Sequence, residues 1–166
     1  MSKKIIGMIV AAVLLIAVVV TLVALNLSDW GKEANQEAKK IEINLEELSE
    51  KFSAMTPFNE MATMDIDSTV LTDLYQIDEE LVANFIGKMP MMNVHSSMYL
   101  VIEATEGNVE AVKEKVDAYA EAYEATWEMY LQDQYELVKD RKTGVQGNFV
   151  YLFIGESAED MEALMK

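Results

Sequence analysis

The chain is predicted to be an α+β protein. It is expected to have an N-terminal single transmembrane helix, followed by a small antiparallel sheet packed against a long amphipathic helix and shorter helices. Three observations predict this. Ile5–Leu25 is a 21-residue run without a charge. Val109, Val112, Val116, Tyr119, Tyr123, Trp127 and Tyr130 recur at spacings of 3 and 4, one apolar stripe of a long helix. Phe149–Ile154 is apolar on both faces and follows Gly147-Asn148, which suits a two-residue hairpin turn.

The N-terminal run comes first. At 1.5 Å per residue it is roughly 31 Å long as a helix, matching a bilayer's hydrocarbon core. Lys3 and Lys4 precede it, and Asp29 and Glu33 follow it. Positive charge stays inside, so the N-terminus is expected in the cytoplasm and the rest outside, with Trp30 at the interface. The run is too long for a signal-peptide core, and Val23-Ala24-Leu25-Asn26 is a poor cleavage site. An uncleaved signal anchor is therefore favoured over a cleaved leader. Gly7/Ala11 and Ala17/Thr21 are small-residue pairs of ordinary membrane-helix composition. The expected organisation is residues 1–27 as cytoplasmic tip and anchor, 28–43 as a polar juxtamembrane stalk, and 44–166 as the extracytoplasmic domain.

In that domain Asn44 reads as an N-cap with Glu46 and Glu47 in the first turn. Leu45, Leu48 and Phe52 share a face, and Pro57 ends the helix. Val70, Leu71, Leu74 and Tyr75 continue a helical pattern after Met64-Asp65-Ile66-Asp67. Asp78, with Glu79 and Glu80 behind it and Ile77 able to staple to Val82, predicts a helix to about Phe85. Strands are expected at Met89–Val94 and Met98–Ala104. The long helix should start at Asn108. A first hairpin strand within Val138–Val145 should pair with the central strand Phe149–Ile154. Ser157-x-x-Asp160 resembles a capping box opening a last helix to about Met165.

The counts exclude several chemistries. The chain has no Cys, so it has no disulfide, thiolate metal site or thiol nucleophile. Its one histidine, His95, rules out sites built on two imidazoles. Residues 28–166 hold 29 acids and 11 bases, net −18, so nucleic acid is not an expected partner.

No catalytic, cofactor-binding or metal-ligating residue is assigned. Gly155-Glu156-Ser157 lacks the second Gly of a nucleophile elbow, and His95 reads as a loop residue between two strands. Asp65, Asp67, Asp73, Asp78, Glu79 and Glu80 crowd one segment. An EF-hand frame starting at Asp65 would have Val70 for Gly and Gln76 for Glu, so a solvated acidic surface is the better reading. Tyr119, Tyr123, Trp127 and Tyr130 suit a sugar or peptide groove, with core packing as the default. Met89, Met91 and Met92 suit an adaptable surface, with core filling as the default.

Leu74-Tyr75-Gln76-Ile77-Asp78, Met91-Met92-Asn93-Val94, Gln134-Tyr135-Glu136-Leu137-Val138-Lys139 and Gly147-Asn148-Phe149-Val150 follow in this order. Together they make residues 44–166 resemble domain of unknown function family 4358, secreted or membrane-attached domains of Gram-positive bacteria. The resemblance implies an extracytoplasmic α+β domain behind a signal or anchor, and it implies no activity.

The expected function is that of a membrane-anchored, non-enzymatic binding module for a protein or cell-envelope component, with a basic-faced partner steered by the acidic charge. The alternatives are a carboxylate-dependent cell-wall hydrolase and a structural subunit of a membrane complex.

Overall fold

A computed structural model describes residues 43–166. The expected anchor, most of the stalk and their topology lie outside the described residues. Among the described residues no helix is long and apolar enough to cross a membrane.

The elements run α1 (Leu45–Ser53), β1 (Thr63–Asp65), α2 (Ser68–Asp73), β2 (Val82–Pro90), β3 (Met98–Ala104), α3 (Val109–Trp127), α4 (Gln132–Lys139), β4 (Lys142–Gln146), β5 (Phe149–Ile154) and α5 (Ala158–Met165). The five strands form one antiparallel sheet in the order β1-β2-β3-β5-β4. In strands β3 and β5, twelve of the thirteen residues are buried, Glu103 being the exception.

Alternation along these strands builds two cores, because successive side chains point to opposite faces. Met98, Leu100, Ile102, Val150, Leu152 and Ile154 face α2, α3 and α4. Tyr99, Val101, Phe149, Tyr151 and Phe153 face α1 and α5. The sheet is therefore the middle layer of three. The α1 stripe lies where the spacing placed it, with Leu45, Leu48 and Phe52 buried. Asn44 caps this helix, accepting from Glu47 N at 3.2 Å. Asp67 caps α2, accepting from Val70 N at 2.9 Å.

The Asp78–Phe85 helix is not formed. Its start signal is spent on a single 3-10 turn, Glu79–Leu81, and Asp78 makes no side-chain cap. The chain then enters β2, where Val82, Phe85 and Ile86 pair with β3. Ladder pairing against a buried strand outweighs a local helix signal. Gly87 fits this strand because a Cβ there would sit 3.0 Å from the Tyr99 carbonyl oxygen.

Met89–Val94 is also not one strand. β2 stops at Pro90, and the chain turns so that His95 N donates to Met92 O at 3.3 Å. The first hairpin strand begins at Lys142. Val138 instead closes the helix α4, where Leu131, Tyr135 and Val138 lean on the core at helical spacing. Gly147, at φ 62°, makes the expected turn, with Gln146 opposite Phe149. Ser157 precedes α5 but makes no cap to it; its hydroxyl donates to Thr56 O at 2.6 Å.

Candidate functional site

The α3 stripe does two jobs. Val112, Val116, Ala120 and Trp127 are buried against the sheet. The aromatic members continue as a row of rings, Tyr75–Tyr119–Tyr123–Trp127–Tyr130, with centroids 4.0, 5.6, 5.9 and 5.6 Å apart in turn. The row runs from the core, where Tyr75 is 2% exposed, to the surface, where Tyr130 is 54% exposed. Helix α3 ends at Trp127, and Tyr130 N donates back to Trp127 O at 3.0 Å, so the last ring stands on the turn after the helix.

Opposite this end lies the β2–β3 connection. Its residues are held by a small polar network. Met91 N donates to Ala62 O at 3.0 Å. Ser96, fully buried, donates its N–H to Gln134 Oε1 at 2.9 Å, and the Tyr123 hydroxyl donates to Ser96 O at 3.3 Å. Partners on α3, on α4 and in the segment before β1 give the loop one shape.

Between the two sides is a groove of about 510 Å³, lined by Met89–Asn93 and His95 on one wall and by Tyr123, Thr126, Trp127 and Tyr130 on the other. No lining residue is a carboxylate. Among the described residues nine large hydrophobic residues are exposed, and five belong to this end of the domain: Met91 (65%), Met92 (50%), Val94, Met129 (93%) and Tyr130. A concentration of apolar side chains in water marks an interaction surface rather than scattered surface residues. Thioethers and a tyrosine ring suit such a surface, because Met adapts its shape and Tyr keeps a polar tip wet.

The electrostatics follow from burial. Burial raises Tyr75 and Tyr119 well above the ordinary phenol range. It pushes Tyr123 up to about 12. These phenols are neutral donors near neutral pH. The Trp127 indole nitrogen is the one fully buried side-chain polar atom without a hydrogen-bond partner among the described residues.

The structure thus joins the two stretches that the sequence offered separately, the Met-rich segment and the aromatic stripe. It does not join the acids. Asp65 pairs with Lys88 at 2.6 Å, and Asp67 caps α2. Among the described residues no group of three or more His, Cys, Asp or Glu side chains can hold a metal ion. Glu110, Glu114, Asp117 and Glu121 line a hollow on α3 with Lys113, a wall contributed by one helix alone. His95 stands, as expected, in a loop between two strands, half-buried at the groove.

A family model for a domain of unknown function, DUF4358, matches residues 56–155. The chain belongs to that family. The DUF4358 match spans β1 to β5 with both walls of the groove, whereas α1 and α5 lie outside it. No curated protein and no solved structure matches the chain.

Proposed function

We propose that this DUF4358 protein is a single-pass membrane-anchored binding module whose domain lies outside the cytoplasm. Its groove docks a protein partner that presents apolar side chains within a basic surface. The carrying observation is the groove itself, where an aromatic row meets a pinned Met-rich loop: Met91, Met92 and Tyr130 are exposed in its lining, and Val94 and Met129 are exposed next to lining residues in the chain. The charge supports a basic partner. The groove lining is uncharged, Glu128 and Asp133 flank Tyr130 in the chain and are exposed, and residues 28–166 carry net −18. The uncharged run Ile5–Leu25 behind Lys3 and Lys4 supports the anchor and its orientation.

A photocrosslinking residue at Met129, in the full chain in its own membrane, tests the docking. The expected result is a discrete adduct, weakened by salt and lost when Tyr130→Asp is added. The same adduct from position Leu164 on α5, or one indifferent to Tyr130→Asp, would remove the groove from the proposal. Protease added to cells stripped of wall should digest everything after about Trp30; protection of that region would overturn the topology.

A further inference from the structure

One face of the groove carries donor chemistry that docking does not use. Within seven residues, Met89-Pro90-Met91-Met92-Asn93-Val94-His95, stand three thioethers and the only imidazole of the chain. All four of those side-chain-bearing residues line the same groove. The hydrogen bond from His95 N to Met92 O closes a β-turn, which brings these two residues within about 7 Å of each other at their Cα atoms. Met91 and Met92 are more than half and half exposed, so they do not fill the core; Met89 is partly buried and packs against it. The His95 imidazole makes no hydrogen bond or ion pair to any described residue. The backbone of the loop that bears these groups is held by Ala62, Gln134 and Tyr123, so ion binding has to order only the side chains.

We propose that the Met89–His95 loop binds copper(I) through the thioethers of Met91 and Met92 and the imidazole of His95, with Met89, which lines the same groove, as a further thioether. Neutral sulfur is a soft donor that selects a soft monovalent cation, and imidazole is compatible with the same ion. Hard cations need carboxylate or carbonyl oxygen, and the chain's 29 acids place none in this lining. Zinc sites use thiolate, several imidazoles or carboxylates, none of which this groove supplies. A chain without Cys can still hold a soft ion in this way, and thioethers do not form the disulfides that thiols form outside the cytoplasm. The acidic domain raises the local concentration of any cation. This site goes beyond the docking reading and can fail without it, since leucine in place of methionine keeps the groove apolar.

The test uses the full chain in detergent, with Trp30→Phe so that Trp127 is the one indole reporting. Silver(I) nitrate in chloride-free buffer serves as a redox-silent probe, followed by copper(I) supplied anaerobically as its acetonitrile complex. Trp127 emission should change and saturate at one equivalent of either ion. The Met91 and Met92 methyl resonances should shift with it in protein carrying 13C-methyl methionine. Met91→Leu/Met92→Leu and His95→Gln should each weaken binding at least tenfold with unchanged melting temperature. Met129→Leu, a fully solvated methionine outside the lining, should bind as the parent does. Undiminished binding by the double leucine variant, an equal response to zinc(II), or no response at millimolar silver(I) would each overturn the site.

Discussion

The rings of Tyr75 and Tyr119 lie 4.0 Å apart at their centroids, with planes inclined by 34°, and so clamp the segment after α2 onto the middle of α3. Tyr75 is almost wholly buried, and its hydroxyl points at the Met98 sulfur, 3.7 Å away. Removing this ring leaves a cavity that neighbouring elements cannot fill. Tyr75→Ala should therefore cost about 3–5 kcal/mol in urea unfolding. Tyr75→Phe should cost less than about 1.5 kcal/mol, because it removes one weak hydrogen bond. A double-mutant cycle with Tyr119 should show coupling of about 0.5–1.5 kcal/mol.

Alkaline pH should unfold the domain through its phenols. Unfolded tyrosines titrate near 10. Burial raises Tyr75 and Tyr119 and pushes Tyr123 up to about 12. Burial, then the Glu162 carboxylate that accepts from its hydroxyl at 2.9 Å, holds Tyr151 up at about 12. A raised folded pKa means stability that is complete below pH ~10 and lost as pH climbs through the folded values. The melting temperature should fall steeply between pH 10 and 12. Tyrosinate absorbance at 295 nm should rise together with loss of the circular dichroism of the fold. Full tyrosinate formation by pH 11 with intact dichroism would contradict this.

At the edge strand β4, Tyr151 lies across Gly144. A Cβ at Gly144 would meet the Tyr151 hydroxyl and stand 2.6 Å from its Cζ. Gly144→Ala should therefore destabilise by about 1–3 kcal/mol through overpacking. Tyr151→Leu in the same chain should recover part of that loss. A neutral Gly144→Ala, measured by thermal or urea unfolding, would show that the ring moves aside freely.

Surface and core roles should separate along the aromatic row. Tyr130→Ala should leave stability within about 0.5 kcal/mol, as for other exposed positions, yet remove groove crosslinking. Trp127→Ala should cost about 3–5 kcal/mol, since this ring is 4% exposed and packed in the core. Equal destabilisation by both substitutions would mean that the turn after α3 is part of the core.

Strands β3 and β5 and the long helix were legible because their burial imposes a strong periodicity. Leu100 and Ile102 alternate with Tyr99 and Val101, and Val112, Val116 and Trp127 repeat at the helical interval. β2 was not legible: Asp78-Glu79-Glu80 is a genuine helix start, and only the long-range ladder with β3 cancels it. α4 was hidden by its shortness, although Leu131, Tyr135 and Val138 carry its spacing. Both walls of the groove were visible as compositions, one of Met and one of Tyr and Trp, each with core filling as its default. Their meeting depends on where α3 ends against the sheet. That register joins residues some thirty positions apart, and no local pattern contains it.

The boundaries of the family match have a consequence for the body that carries them. Residues 56–155 hold the whole sheet and the helices of one side, yet the other side is roofed by α1 and α5, which flank that range. Trimmed to the shared stretch, the chain would bare Tyr99, Val101, Phe149, Tyr151 and Phe153 to water and clump through that greasy floor. The matched stretch is smaller here than what must be made in one piece.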